Sequence, residues 1–242
     1  NENLNEFSHE DIGLILDFGN SVTEPIILKC GVSYTSLEGA RKNLKAEITD
    51  FDFDAQRKCS SDLWNEVFSI VDVEGSNETD LKLFYTCLYH VLLDPRVSAD
   101  IDGRFSLNGE KIRDDSYIHR TVFSGWDVYR SEFPLLSIIR PDIVNDEVNS
   151  LLKIAETNNS SFPRWELLGI NAGCMVGDPG AIVVADAYLK NIRKFDVQKA
   201  YDIIVASTKG EKELFNKEFH TIRPECEQYL KDAYVPEKLS DT

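Results

Sequence analysis

Helical periodicity begins in the stretch SLEGARKNLKAEI, residues 36–48. Ser36 is a favourable N-cap, and the apolar residues after it recur at three- and four-residue spacing, which places them on one helix face. These residues are Leu37, Ala40, Leu44 and Ile48. Upstream, residues 12–18 and 25–34 are apolar or β-branched runs on either side of a Gly19-Asn20-Ser21 turn, which predicts two strands. The predicted architecture therefore changes at residue 36.

The two predicted strands are too few to bury both faces of a sheet, so we expect them to belong to a larger sheet whose other strands lie outside this chain. From residue 36 onward, the pattern predicts about eight helices with short connections. Helices are predicted to start at residues 60–62, Asp80, Pro141, Asp196 and Pro224. A further helix follows Trp126 and continues through Ile139, and another spans residues 182–192. Gly210 is predicted to end the helix that starts at Asp196. Helical pairs in a toroid or a bundle are the natural arrangement, and periodicity does not choose between them.

One irregular segment, residues 96–123, interrupts the helices. It contains the turn pairs Asp102-Gly103 and Asn108-Gly109, and Arg104–Leu107 is a predicted hairpin arm. A connection of this length in a compact domain is often functional.

Composition excludes several classes of protein. The chain has 242 residues, and its 42 acidic side chains exceed its 26 Lys and Arg, giving a formal net charge of −16. The hydrophobic content of 42% and charged content of 28% are those of a folded globular protein. The acidity disfavours nucleic acids and anionic membrane surfaces as partners. No apolar run approaches the roughly 20 residues of a membrane-spanning helix, and the polar residues 1–6 are not expected to be a signal peptide.

The five cysteines lie far apart, without a CxxC pair, so we expect mostly free, buried thiols and no zinc ribbon. The four histidines show no ligand spacing. Sequons at Asn77, Asn158 and Asn159 matter only in a secretory pathway, and localisation stays open.

A cluster of sugar-binding character lies at residues 124–130. Trp126 and Arg130 are four residues apart and share a helix face, with Asp127 between them. A carboxylate accepts hydrogen bonds from vicinal hydroxyls while an indole covers the apolar face of a pyranose. The structural alternative is that Trp126 belongs to the core and Asp127 caps the helix.

A second cluster contains Arg164 and Trp165, followed by a glycine-rich run up to Asp178. Its structural alternative is a tight loop between helices. The DIDG run at residues 100–103 lacks the further ligands of an EF-hand, so a turn is expected there. No P-loop, GxGxxG, GxSxG or HExxH motif is present.

These segments together resemble glycoside hydrolase family 92, the calcium-dependent exo-acting α-mannosidases. The matching motifs run in order along most of the chain: VSYTS (32–36), ARKNLKAEI (40–48), FYTCLYH (84–90), DIDGRF (100–105), SGWDVYR (124–130), PRW (163–165), CMVGDP (174–179) and ADAYLK (185–190). Gly125 and Val128 depart from the family's usual W-D-T-[YF]-R segment.

The resemblance implies a domain organisation. Residues 1–35 would be the C-terminal strands of a β-sandwich domain, residues 36–60 a linker helix, and residues 61–242 the first part of a truncated (α/α)6 catalytic toroid. The implied fold class is mainly α. The chain is then expected to be a fragment that requires the missing N- and C-terminal parts of the same enzyme.

The resemblance also implies inverting hydrolysis of terminal α-linked mannose in glycans, by an acid and a base that admit water between them. No acidic residue here matches either group, so no catalytic residue is assigned. Calcium is the cofactor implied by the family, and no metal ligand is identifiable in this chain. The implied sugar-binding residues are Trp126, Asp127 and Arg130, then Arg164, Trp165 and Asp178. Cys174 is expected to pack near the site, because inversion needs no covalent intermediate.

Two alternatives remain: a non-catalytic carbohydrate-binding protein, and a helical scaffold. The family implies an extracellular, periplasmic or secretory location. A partial toroid would also expose helix faces, and such faces tend to aggregate or find partners.

Overall fold

The computed structural model describes residues 13, 15, 17–19, 23–75, 77–223 and 225–236. This part of the chain is mainly helical, as predicted. Its helices are α1 (Leu37–Glu47), α2 (Phe53–Phe68), α3 (Glu78–Val91), α4 (Gly125–Val128), α5 (Glu132–Ile139), α6 (Pro141–Asn158), α7 (Pro179–Leu189), α8 (Val197–Lys209) and α9 (Cys226–Asp232).

Short strands form four separate antiparallel pairs within those residues. The strands are β1 (Arg96–Val97), β2 (Arg104–Leu107), β3 (Glu110–Arg113), β4 (Arg120–Thr121), β5 (Glu166–Leu167), β6 (Ile170–Asn171), β7 (Glu213–Leu214) and β8 (Lys217–Glu218). β1 pairs with β4, and β2–β3, β5–β6 and β7–β8 are hairpins. The predicted arm Arg104–Leu107 is confirmed, with Asn108 and Gly109 in the turn.

The core forms around α6. Pro141 occupies the start of this helix as predicted, because its fixed φ suits the first turn and its missing N–H is not needed there. Val148 and Leu151 are fully buried on α6 and belong to the same cluster as Leu136 of α5 and Ile203 of α8. α6 is therefore the element against which the surrounding helices pack.

Capping residues account for the helix ends that were predicted correctly and for two helix starts that were predicted at the wrong residue. Asp196 caps α8 and Gly210 ends it in the left-handed region, both as predicted. The predicted start at residues 60–62 is wrong: α2 begins at Phe53, because the Asp52 carboxylate accepts a hydrogen bond of 2.9 Å from the Ala55 amide. α2 buries no residue, so its first turns carry no apolar period. Similarly, Asn77 rather than Asp80 caps α3.

The helix predicted after Trp126 is divided in two. α4 ends at Val128 and α5 begins at Glu132, with Ser131 outside the helical region at φ −141° and ψ −42°. Pro134 has no N–H to donate to the carbonyl four residues before it, so one continuous helix would lack that bond. The break places Trp126 and Asp127 on a single isolated turn.

The predicted strand at residues 25–34 is not formed. The part of the chain that the structure describes offers this segment no strand partner, and it is held instead by side chains. Asn43 Nδ2 donates to the Val32 carbonyl at 2.8 Å, and the Ser33 hydroxyl donates to the buried Asp100 carboxylate at 2.9 Å. Residues 12, 14 and 16 of the predicted strand at residues 12–18 lie outside the described residues, and residues 13, 15, 17 and 18 are not in a strand. The division into domains stays a prediction, and residue 60 falls inside α2.

The prediction of mostly buried thiols is wrong. All five cysteines are free, as expected, but only Cys226 is buried. Cys59 and Cys87 lie on α2 and α3, which are mostly exposed among the described residues, whereas Cys226 packs beside α8 with its Sγ 3.2 Å from the Thr208 carbonyl oxygen.

Several helices of the described residues expose large apolar side chains, as expected for a partial toroid. Ile138 of α5 is 76% exposed and Leu189 of α7 is 77% exposed. Among the helices of the described residues, none combines the length and the apolar character needed to cross a bilayer.

Candidate sugar-binding site

Two distant segments meet at the start of α4. Phe123 and Glu166 form an antiparallel bridge, in which the Phe123 amide donates to the Glu166 carbonyl at 3.1 Å and the Glu166 amide donates back at 2.8 Å. Ser124 follows Phe123 and Trp165 precedes Glu166 in the sequence. The bridge therefore brings the two predicted clusters together.

A chain of hydrogen bonds joins the clusters. The Trp165 indole Nε1–H donates to Ser124 Oγ at 2.9 Å, and the Ser124 hydroxyl donates to Asp127 Oδ2 at 2.7 Å. Asp127 is exposed, and Oδ1 meets no donor in the described part of the chain. One carboxylate oxygen is thus fixed by the protein while the other remains able to accept a hydrogen bond.

Trp126 and Arg130 interact as their spacing predicts. The Arg130 guanidinium carbon lies 4.8 Å from the centroid of the Trp126 ring, and Arg130 Nε donates to the Trp126 carbonyl at 3.3 Å. Trp126 is half-buried rather than part of the core. A cation stacked on an indole fixes the orientation of both groups.

Arg164 is occupied by backbone carbonyls. Its guanidinium donates to Gly177 at 3.2 Å, to Met175 at 3.3 Å and to Ile222. These contacts hold the glycine-rich run, in which Met175 and Gly177 adopt positive φ, against the segment that precedes α9. Arg164 therefore shapes the loop beside Trp165 and has few donors left for a sugar.

Asp178 precedes α7 and forms an ion pair with Arg223 through Oδ2. Its Oδ1 is buried and meets no donor in the segments that the structure describes. Asp178 thus links the glycine-rich run to the segment before α9, as Arg164 does. Cys174, expected to pack near the site, is exposed.

Gly125 allows α4 to lie directly against its neighbours. A Cβ atom at this position would lie 2.5 Å from the Phe123 ring and 2.7 Å from Pro179, and would also collide with the Arg164 carbonyl oxygen. Any larger residue would push the start of α4 away from α7. This is a physical reason for one of the two departures from the family's usual segment.

Two residues of the site were not identified from the sequence. Ser124 connects Trp165 to Asp127, and its position one residue before a Gly-Trp-Asp run was the only available signal. Glu166 is fully buried beneath the site. The signal that could have identified it is the presence of a charged residue in a mostly apolar stretch. The sugar-binding roles of Trp126, Asp127, Arg130, Arg164, Trp165 and Asp178 stay predictions.

The described residues do not fit calcium. They contain no group of three or more His, Cys, Asp or Glu side chains arranged to hold a metal ion. Calcium prefers six to eight oxygen ligands, which neither Asp127 nor Asp178 is placed to assemble here.

The comparisons with known proteins agree with the resemblance. Residues 39–242 match the model of the glycosyl hydrolase family 92 catalytic domain. The GH92 α-mannosidase BT3965 from Bacteroides thetaiotaomicron has 29% sequence identity and a TM-score of 0.67, over 72% of this chain and 23% of that protein. The GH92 inverting mannosidase BT2199 from the same organism has 27% identity and a TM-score of 0.73, over 85% of this chain and 28% of that protein.

A third structure, the GH92 glycosyl hydrolase ccman5, shares the fold at 24% identity, with a TM-score of 0.58 over 71% of this chain and 24% of that protein. No match was found among the curated proteins. The chain spans about a quarter of the length of these solved relatives. The helical architecture and these structural matches confirm the predicted partial (α/α)6 toroid.

Proposed function

Because the chain belongs to glycosyl hydrolase family 92, we propose that it supplies one wall of the sugar site of an α-mannosidase. In this proposal the enzyme removes terminal α-linked mannose from glycans with inversion. The acid and base act from polypeptide outside this chain. The α-mannosidase BT3965 and the inverting mannosidase BT2199, which this chain resembles, support the substrate class and the stereochemistry.

The exposed Asp127 carboxylate is the observation that carries the proposal. Ser124 orients it through Oδ2, and Trp165 orients Ser124 in turn, so the acceptor geometry is set before a ligand binds. Vicinal hydroxyls of a pyranose donate well to such a fixed carboxylate, and an indole beside it covers apolar C–H groups. Trp126, stacked with Arg130, extends the same wall.

The remaining candidates act on the shape of the wall. Arg164 and Asp178 hold the glycine-rich run through carbonyl groups and through Arg223. Losing either residue should weaken sugar binding by loosening the loop rather than by removing a direct contact.

The buried carboxyl groups of this chain are unsuited to the chemical step. An inverting enzyme places its acid and base roughly 6.5–9.5 Å apart on either side of the glycosidic bond, with water between them. Glu147 and Glu166 are only 1% and 0% exposed, so neither can reach a substrate or a water in a cleft. Their burial excludes these two carboxyl groups from the roles of acid and base.

Calorimetric titration of the chain with methyl α-mannoside tests the proposal. Saturable binding without hydrolysis is expected, and Asp127→Ala should abolish it. Asp54→Ala is the matched control, because Asp54 is also an exposed carboxylate in the first turn of a helix. Equal affinity of Asp127→Ala and the unmodified chain would contradict the proposal, and hydrolysis at the rate of a complete family member would refute the absence of acid and base.

A further inference from the structure

Glu166 holds together the backbone on which Ser124 and Trp165 are mounted. Its Oε1 accepts hydrogen bonds from Thr121 Oγ1 at 2.8 Å and from the Gly169 amide at 2.6 Å, and its Oε2 accepts from the Phe123 amide at 3.3 Å. Thr121 also accepts from the Leu168 amide at 2.7 Å. The carboxylate thus links β4, the residue before Ser124 and the β5–β6 turn.

These bonds favour the ionised form of Glu166. Every partner is an N–H or O–H donor, and a carboxylate that accepts several such bonds is stabilised in its charged state. Burial raises the pKa of Glu166, and the donors from Gly169, Thr121 and Phe123 oppose that effect. A negative charge beneath the site is the arrangement that these donors require.

Glu147 of α6 is placed beside this charge without donors of its own. Both of its carboxyl oxygens are buried and meet no hydrogen-bond partner among the described residues. The charged groups that face it are Glu166 of β5, Arg120 of β4, Glu132 of α5 and Asp146 on its own helix. Burial, followed by the charge of Glu166, raises the pKa of Glu147 well above its usual value.

Arg120 does not compensate for this burial. Its guanidinium already donates to Asp146 at 3.2 Å and to the Pro95 carbonyl at 3.0 Å. Glu147 therefore has no counter-charge of its own, and two negative carboxylates buried next to each other would repel. The neutral carboxylic acid is the form that this environment accepts.

We propose that Glu166 is a positioning residue for the Trp165–Ser124–Asp127 chain, and that Glu147 supports it only while its carboxyl group is protonated. Ionisation of Glu147 would repel the Glu166 carboxylate from its hydrogen-bond donors and disrupt the backbone pairing of Phe123 with Glu166. The Trp165 indole would then leave Ser124. The site would therefore lose its arrangement at the alkaline pH at which Glu147, buried beneath it, ionises. The consequence for sugar binding rests on the proposed function, whereas the consequence for Trp165 does not.

The test follows the indole N–H signals of the 15N-labelled chain from neutral to alkaline pH, because the pKa of Glu147 is raised well above its usual value. Trp165→Phe assigns the signal. The Trp165 signal should shift at alkaline pH in the unmodified chain and stay in place in Glu147→Gln, which keeps the size of the side chain but cannot ionise. Glu156→Gln is the control on α6, because Glu156 lies in a half-exposed pair with Lys199, and it should shift as the unmodified chain does.

Variants of the network test the positioning role. Glu166→Gln replaces an acceptor with an amide donor and should displace the Trp165 signal already at neutral pH. Should this variant not fold, Thr121→Val removes one donor to Glu166 and should produce a smaller displacement, which Thr121→Ser should rescue. A Trp165 signal that is independent of pH, or one that shifts equally in Glu147→Gln, would overturn the proposal. So would network variants that fold and leave the signal in place.

A mannoside titration at both ends of the pH range separates this inference from the proposed function. Affinity should fall by about tenfold at alkaline pH in the unmodified chain, equivalent to ~1.4 kcal/mol, and less in Glu147→Gln. An absence of mannoside binding in every variant would contradict the proposed function, and the indole signals would then decide the positioning role by themselves. Equal alkaline loss in both proteins would contradict the inference and leave the proposed function standing.

Discussion

The indole of Trp165 donates a hydrogen bond of 2.9 Å to the hydroxyl oxygen of Ser124, although the two residues are far apart in the sequence. The Ser124 hydroxyl in turn donates a hydrogen bond of 2.7 Å to the Asp127 carboxylate. A small hydroxyl group thus connects an aromatic ring to an exposed acid, and both ends of the connection have the chemistry that a pyranose requires.

Ser124→Ala should weaken mannoside binding by about tenfold, or ~1.4 kcal/mol, because Asp127 would lose its orientation and the Trp165 N–H its acceptor. The free energy of unfolding should fall by about 1 kcal/mol for the lost hydrogen bonds. Calorimetry and thermal unfolding measure the two effects. Ser137→Ala is the control, since the Ser137 hydroxyl donates to the Pro134 carbonyl within α5 and away from the site. Equal affinity of the two variants would count against the role of Ser124.

Gly125→Ala should destabilise the chain by about 1–3 kcal/mol, the usual cost of overpacking. Its Cβ would be placed 2.7 Å from Pro179 and 2.5 Å from the Phe123 ring, and the start of α4 would have to move. Urea unfolding provides the measurement. In Gly75→Ala, the added Cβ meets only the flexible Leu81 side chain, at 3.2 Å, so that control should lose less. An unchanged unfolding midpoint for Gly125→Ala would show that α4 is not tightly seated.

His119 should make the stability depend on pH. The ring stacks on Phe105 at a centroid distance of 3.9 Å, and burial lowers the pKa of His119 to about 4. The unfolded chain binds this proton near pH 6.5, so the folded state binds fewer protons between the two values. The contribution of His119 to the free energy of unfolding is therefore fully present above about pH 6.5 and is lost as the pH falls towards 4.

His119→Phe keeps an aromatic ring and removes the titration. It should reduce the loss of stability between about pH 6.5 and pH 4 by on the order of 2 kcal/mol. Denaturant unfolding at several pH values gives the slope. An identical slope in His119→Phe and the unmodified chain would contradict the prediction.

The exposed helix faces should bind an apolar dye. Ile138 is 76% exposed, so Ile138→Ser should lower dye binding and light scattering with little change in unfolding free energy. Leu136 lies on the same helix and is fully buried, so Leu136→Ser should instead destabilise by about 3 kcal/mol or more. A monomeric chain with low dye binding would contradict this prediction.

The parts of the fold that the sequence predicts are those with local causes. Pro141 at the start of α6, Asp196 and Gly210 at the ends of α8, and Asn108-Gly109 between β2 and β3 each act on their own backbone. The start of α2 was misplaced because its first turns bury nothing and carry no apolar period to detect. The strand at residues 25–34 was predicted from composition, but a strand exists only with a partner.

The candidate site was predictable only as two separate clusters. The bridge between Phe123 and Glu166 is a tertiary contact, and nothing in the spacing of either segment signals it. The family resemblance implied Arg164 as a sugar-binding residue, yet its donors serve Met175, Gly177 and Ile222. Such competition between ligand and backbone becomes visible only when the chain is folded.

In the proposed function, Asp127 and the adjoining indoles form a wall that binds one mannose unit. Saturation-transfer NMR with methyl α-mannoside tests it most directly, because aromatic protons of the chain transfer magnetisation only to a ligand in contact with them. Transfer to the mannoside protons is expected in the unmodified chain and in Asp54→Ala, and none is expected in Asp127→Ala. Transfer that persists in Asp127→Ala, or no transfer to the mannoside in any of the three proteins, would contradict it.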